Sequence, residues 1–288
     1  MNYSVPHPAA SAAALTELAV VIAAGAGTRL RASCDDDTIV KPMSPVLGVP
    51  LIARTLATLK GEGVREVVVV TGYRAEELDG LPDHPWLEGL AIRFVHNEHW
   101  AGKNGLSVSA ARDAVAGRPF FLSMADHLYA PALVALLRAH APAPGEQVLA
   151  VDRRVDEVMD PDDAMGVHLD DHGRNLAIGK DLHKPHAIDT GVFLATAGLF
   201  EALAEELAER DGDCALADGV RRMAAWGKAR TVDIGALWWQ DVDTLDNLRL
   251  AEAKIRAAEA LYAGPTSPAL PALSLAGAWV DKSLPPGR

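Results

Sequence analysis

The stretch "VVIAAGAGTRL" (Val20–Leu30) decides how the chain is read. Its apolar run, extended by the preceding residues to "ELAVVIAA" (Glu17–Ala24), is the pattern of a strand covered on both faces. The strand runs into a loop holding Gly25, Gly27, Thr28 and Arg29, after which no helix is expected to begin at once. A bare backbone, a hydroxyl and a guanidinium behind a buried strand suit an anionic ligand. Glycine-rich turns let backbone N–H groups approach phosphate oxygens.

Outward from this stretch, strand-like and helix-like runs alternate, which predicts an α/β fold with a mostly parallel sheet. Helix is expected from Pro50 to Lys60 and over Gly105–Val115. Strands are expected over Arg65–Tyr73, Leu90–Asn97 and Arg118–His127, with a short helix in "RAEELDGL". From Val148 the strands "VLAVDRR", "MGVHLDD" and "RNLAIGK" follow, with a hairpin turn at Asp171–Gly173, then Ala187–Ala195. Helices over about 197–209 and 213–226, a strand in "KARTVDIG" and a long final helix complete the pattern. Asp243–Thr244 forms the N-cap region of that helix and Gly264–Pro265 its stop. The expected organisation is an N-terminal extension (1–16), one domain (17–262) and a tail (263–288). The pattern changes at Val148, which divides the domain into halves 17–147 and 148–262.

Composition bounds the partners. The chain has 288 residues and a formal charge of −12, which argues against nucleic acid or an anionic membrane surface. Cys34 and Cys214 are far apart and lack metal-ligand spacing, so the chain reads as reduced and cytoplasmic. The N-terminus lacks the basic and apolar regions of a signal peptide, and no window reaches the ~18 apolar residues of a membrane span.

Three phosphate-binding schemes compete for the glycine loop. The GxxxxGK[ST] pattern is absent, and a dinucleotide fingerprint would need a third glycine where Leu30 stands. The third scheme, used by nucleoside-triphosphate transferases, has a long loop with its own cations. Here Arg29 is followed, after an acidic insert, by Lys41–Pro42.

The stretch "LAVVIAAGAGTRL…KPMSPVLGVPLI" resembles the sugar-phosphate nucleotidyltransferases. The closer likeness, over roughly Leu18–Ala258, is to inositol-1-phosphate cytidylyltransferases. It is carried by "TGY", "HNEHWAGKNGLSVSAAR", "MADHLY", "VDRR", "IGKDL…IDTGVF" and "WWQDVDT". The resemblance implies a Rossmann-like three-layer sandwich of the GT-A kind, with a mixed, mostly parallel sheet. It also implies transfer of CMP from CTP, or of another nucleotide, to a small phosphorylated acceptor with release of pyrophosphate. A homodimer is left open. By the same likeness, 17–147 would hold the nucleotide and 148–262 the acceptor, and no membrane-embedded synthase domain of the kind some relatives carry is expected.

The candidate site follows from residues and likeness together. Ala23, Ala24, Gly25, Ala26, Gly27, Thr28 and Arg29, with Lys103, Asn104, Gly105 and Ser107, are the expected nucleotide-binding residues. Arg29, Lys41 and Lys180 are the expected catalytic cations. Asp126 closes an apolar strand, and Asp241 and Asp243 project to one side of an extended segment. Hard carboxylate oxygens of this kind suit Mg²⁺, the expected cofactor. An alternative reading makes Asp243 only the cap of the last helix. By resemblance, His127, Asp152, Arg153, Lys180, Asp189 and Thr190 lie near the acceptor. Alternatives are a solvated loop lysine at Lys180 and a packing residue at Asp189. One departure stands out: "DAMGV" (Asp163–Val167) lacks a lysine that the resemblance leads one to expect, which makes phosphonate or phosphocholine-like acceptors more credible. Uridylyl- or guanylyl transfer to a sugar 1-phosphate is the runner-up. The rivals outside this class are an NAD-dependent oxidoreductase and a silent nucleotide-binding subunit.

Overall fold

The structure, a computed structural model, describes residues 16–159 and 163–262. The N-terminal extension up to residue 15, the Gly264–Pro265 stop and the tail from 263 lie outside the described residues. Contacts divide the chain into a unit ending at Glu252 and a second beginning at Ala253, which holds the end of the last helix.

The first strand, β1 (Leu18–Ile22), is buried at every position, as its unbroken apolar run requires. It is followed by β2 (Glu66–Thr71), β3 (Ala91–His96), β4 (Phe120–Met124) and the short β5 (His127–Tyr129). The second half supplies β6 (Gln147–Asp152), β7 (Gly166–Leu169), β8 (Asn175–Gly179), β9 (Ala187–Ala195), β10 (Ala229–Asp233) and β11 (Trp239–Asp241). One nine-stranded sheet runs β8-β7-β9-β4-β1-β2-β3, with β6 pairing β9 and β10. The pairs β1/β2, β1/β4, β2/β3 and β6/β10 are parallel. The long strand β9 is antiparallel to β4, β6 and β7. The sheet is therefore mixed, and β9 joins the two halves.

Helices cover both faces. On one, α2 (Leu51–Gly61) and α5 (Ala132–Ala139) pack Ile52, Leu56, Leu59, Leu133 and Leu137 against Ala19 and Val21. On the other, α3 (Asn104–Ala110), α6 (Gly198–Glu209) and α7 (Leu216–Ala225) meet Leu18, Val20 and Ile22. Alternate residues of β1 thus enter two separate cores, the arrangement of a three-layer sandwich. A further short helix, α4 (Arg112–Val115), continues α3 after a break at Ala111, so the single helix expected over Gly105–Val115 is two.

One local expectation fails. A helix, α1 (Thr28–Cys34), begins directly after the glycine loop. Gly27 takes φ 64°, turning the chain into the first helical turn, and its carbonyl accepts the Arg31 N–H at 3.2 Å. The composition Thr-Arg-Leu-Arg-Ala is compatible with helix, and the acidic insert that follows masked it. The hairpin between β7 and β8 turns at Asp170–Gly173, as its composition predicts. The last helix, α8 (Leu245–Tyr262), starts where expected.

Candidate active site

The parallel strands β1 and β4 lie side by side and end at Ile22 and Met124, the edge at which open α/β sheets bind ligands. Two adjoining hollows of about 230 and 440 Å³ open there. Ala23, Gly25, Gly27, Thr28 and Arg29 line the smaller, with Lys41, Asp126 and Asp243.

Gly27 brings Lys41 in. A Cβ at Gly27 would stand 2.6 Å from the Cβ of Lys41, so a side chain there would push the lysine out. Lys41 opens a one-turn 3-10 helix (Lys41–Met43) with Pro42 in its first turn, and its side chain is only 11% exposed. Its ammonium contacts the carboxylates of both Asp126 and Asp243.

Those acids reach the lysine by different routes. Asp126 follows β4. Asp241 ends β11, which pairs antiparallel with β5 so that Asp241 stands opposite His127. The Val242 N–H donates to the Asp126 carbonyl at 2.9 Å, fixing the two acidic segments together. At the start of α8 the cap is Thr244, whose Oγ1 accepts the Asn247 N–H at 3.2 Å. Asp243 is thereby left to face the cleft, where Arg29 Nη2 meets its Oδ2 at 2.7 Å.

The electrostatics follow. Burial works against the Asp126 charge, but Lys41 and His127 outweigh it and hold the carboxyl at about 2. Burial likewise opposes the Lys41 charge, yet Asp126 and Asp243 raise its pKa. Asp241 is pushed up by burial and by the nearby Asp243 and Asp126 carboxylates. His127 is raised despite burial, because Asp126 and Asp241 favour its charged form.

The larger hollow reaches the second half of the domain, with Lys180, Asp189, His127, Asp163 and Trp239 on its wall. The Asp163 carboxylate contacts both Arg29 and Lys180. Burial lifts Asp189 to about 6, against a hydrogen bond from Gly191 N at 2.7 Å and the neighbouring His127. His127 Nδ1 lies 2.7 Å from the Thr190 carbonyl, so it carries the proton and donates, which leaves Nε2 toward Asp126 at 3.6 Å. Gly191, at φ 72°, makes this possible: a Cβ there would lie 2.3 Å from the imidazole.

Several expected site residues stand elsewhere. Asp152 is 7% exposed and bound by Arg154 and by Trp239 Nε1 at 2.9 Å, so it anchors the cleft wall from behind. Arg153, one residue past β6, is exposed and off the cleft. The Thr190 hydroxyl is fully buried and donates to the Ala150 carbonyl at 2.8 Å, since alternation along β9 turns it away from Asp189. The Gly105 N–H donates to the Cys214 carbonyl at 3.1 Å, a helix-packing contact. Lys103 is exposed and off the wall, and its backbone N–H donates to Asp213. Ala24 is buried and its carbonyl accepts the Tyr73 N–H at 3.0 Å, while Ala26 is absent from both linings. Asn104 and Ser107 do line the cleft. Sequence reading missed Asp163, Trp100, Thr244 and Asn247 as wall residues. Asp163 sits inside the quoted "DAMGV", but nothing local signals a partner 134 residues away.

Among the described residues, no three His, Cys, Asp or Glu side chains form a ready metal cage, and no helix is long and apolar enough to cross a membrane. The donor set nevertheless fits a hard divalent cation that shares its shell with phosphate and water. Two carboxylates already converge on one cationic nitrogen, and the third acid, Asp241, is destabilised by its anionic neighbours.

The model of the MobA-like NTP transferase domain matches residues 19–231. The chain is 36% identical over 241 residues to a bifunctional IPC transferase and DIPP synthase of Rubrobacter xylanophilus, covering 82% of this chain and 51% of that protein. It is 32% identical over 252 residues to the CMP-5'-(3-aminopropyl)phosphonate synthase of Streptomyces rubellomurinus, covering 81% of this chain and 38% of that protein. The chain spans about half or less of the length of the curated relatives it matches. The inositol-1-phosphate CTP transferase from T. maritima has a similar structure, with a TM-score of 0.72 at 25% identity over 84% of this chain and 96% of that one.

Proposed function

The chain belongs to the MobA-like NTP transferase family, and on that premise we propose that it transfers CMP from CTP to a small phosphorylated acceptor, inositol 1-phosphate being the first candidate. The observation that carries the reading is the convergence of Arg29, Lys41, Asp126 and Asp243 on one cleft, faced by Lys180 across Asp163.

In this reading an oxygen of the acceptor phosphate attacks the α-phosphorus of the triphosphate. A P–O bond forms there, the α–β bridging bond breaks, and pyrophosphate leaves with the electron pair. The acceptor is a phosphate monoester, largely ionised near neutrality, so no strong general base is needed. The demand is on charge. Arg29 and Lys41 offset the donor's negative charge, and Lys180 orients the acceptor. Preorganised donors of this kind contribute roughly 3–4 kcal/mol each. Asp126 and Asp243, with Asp241 beside them, would hold Mg²⁺, which supplies Lewis-acid neutralisation of phosphate oxygens. The loop at Gly25–Thr28 would receive phosphates, and Asn104 and Ser107, on the wall of the larger hollow, would face the base.

Cytidine is supported by the activities for which the relatives are named rather than by a residue whose chemistry selects it. A phosphonate or phosphocholine-like acceptor is the second reading. It is favoured by Gly166, buried in β7 where a lysine was expected, and by the apolar wall of Met165, Ile188 and Phe193. A cytoplasmic site of action fits a small, charged substrate pair. The test is a pyrophosphate-release screen with Mg²⁺, crossing four nucleoside triphosphates with inositol 1-phosphate, phosphocholine, aminoalkylphosphonates and hexose 1-phosphates. Release that needs both CTP and one acceptor supports the proposal. Release without any acceptor, or with none of the pairs, contradicts it.

A further inference from the structure

Six charged side chains alternate in sign along the cleft: Lys180, Asp163, Arg29, Asp243, Lys41 and Asp126, each touching the next. The two ends of this chain differ in exposure. Lys41 is 11% exposed and held by two acids, whereas Arg29, Asp163 and Lys180 are 54%, 34% and 46% exposed. Exposed ion pairs contribute only ~0–1 kcal/mol, so the contact of Asp163 with Arg29, the most exposed of the four cleft residues, can be exchanged at little cost. A phosphate group carries more charge than a carboxylate and offers a guanidinium the same bidentate geometry. It would therefore compete well for Arg29.

Position adds direction. Arg29 sits in the first turn of α1, directly after the glycine loop. Lys180 follows β8 and Asp163 precedes β7, so the two flank one end of the same antiparallel pair of strands. When anion meets anion at the donor side, Asp163 keeps a cation from its own half. Its carboxyl is held below the usual range: burial opposes the charge, but Lys180 and Arg29 prevail.

Resting on the nucleotidyl-transfer reading, we propose that Asp163 is a positioning residue shared between donor and acceptor sides. It occupies Arg29 in the free protein, yields it to the triphosphate, and retains Lys180 in line for the acceptor phosphate. The consequence is a pair of effects with opposite sign. Asp163→Asn removes a competitor from Arg29, so the donor binds more tightly. The same change leaves the half-exposed Lys180 without the carboxylate that orders its side chain on the cleft wall, so the cost of ordering it falls on the acceptor, which binds less well.

The experiment measures pyrophosphate binding by titration calorimetry at fixed Mg²⁺ and the two KM values, on wild type, Asp163→Asn and Asp163→Glu. Asp163→Asn is expected to tighten pyrophosphate by roughly two- to fivefold, the equivalent of one exposed ion pair. It should also lower KM for the triphosphate and raise KM for the acceptor by similar factors, with a smaller change in kcat. Asp163→Glu keeps the charge and should stay near wild type. A residue that merely supports the fold would move both KM values together. Unchanged or weaker pyrophosphate binding in a folded Asp163→Asn protein overturns the proposal, as does a shift of both KM values in one direction. Pyrophosphate binding needs no turnover. Tighter binding in a protein that turns over no triphosphate–acceptor pair would support the exchange at Arg29 and count against nucleotidyl transfer itself.

Discussion

The ammonium of Lys41 rests on the carboxylate of Asp243, 202 residues further along the chain. The contact ties the connection that follows β1 and α1 to the segment that opens the final helix. With Asp126 on its other side, Lys41 separates two anions that would otherwise face each other across a buried space.

Replacing Lys41 with Ala should therefore have two consequences. Turnover should fall by 10²-fold or more, as for loss of one well-placed electrostatic donor. Stability without divalent cation should fall by about 3 kcal/mol, the scale for breaking a buried ion pair. Millimolar Mg²⁺ should restore part of the melting temperature but not the activity. Thermal melts with and without Mg²⁺ check this, and a variant with normal turnover would remove Lys41 from the mechanism.

Lys180 and Arg153 form a matched contrast. The first lies on the cleft wall and the second is exposed outside it. Lys180→Ala should raise KM for the acceptor about tenfold or more, the equivalent of ~1.4 kcal/mol. Arg153→Ala should leave kcat and both KM values within about twofold, as exposed substitutions usually do. Steady-state kinetics in both substrates decides, and the reverse pattern would restore Arg153 as an acceptor ligand.

Gly191→Ala should be strongly disruptive for its size. The residue sits at φ 72°, and the added methyl would meet the His127 ring at 2.3 Å. Backbone strain alone costs on the order of 1–3 kcal/mol, and the displaced imidazole adds to it. Denaturant melts should show the loss, accompanied by reduced activity because His127 stands between Asp126 and Asp189. Near-normal stability would mean that the β9 backbone relaxes there.

Asp189 sets a pH dependence of stability. Its carboxyl is raised from 3.8 to about 6 on folding, so the native state holds the proton more tightly than the unfolded state. The contribution is full below 3.8 and is lost as pH rises through about 6. Asp126 behaves oppositely: held at about 2, its contribution is kept above 3.8 and lost as pH falls. Asp189→Asn should thus melt higher than wild type at pH 7 and show a flatter profile between pH 4 and 6. His127 also titrates upward, so the difference between the two proteins, rather than either curve, is the readout. Parallel curves would deny the raised carboxyl.

The sequence carried the sheet well because β1, β2 and β4 are buried on both faces, and a short, mostly apolar run, valine-rich in β1 and β2, suits a central parallel strand better than a surface element. Asp126, Asp241 and Asp243 were legible as cleft residues because they end or closely follow strands, where α/β folds bind ligands. Helix α1 was not, since its seven residues bury only Leu30 and leave little periodic signal. Asp152 and Thr190 were placed at the acceptor by likeness, but Trp239, which joins the local partner Arg154 on Asp152, and the Ala150 carbonyl come from tertiary packing. Asp163 was invisible for the same reason: its meaning lies in two cations that only the folded chain brings to it.

Nucleotidyl transfer requires that the α-phosphorus be the atom attacked. The most direct measurement incubates the protein with the acceptor found in the screen and CTP labelled at either the α- or the γ-phosphate. Nucleotidyl transfer requires the α label to enter the acceptor product and the γ label to leave in pyrophosphate. Transfer of the γ label to the acceptor, or its release as inorganic phosphate, would contradict it.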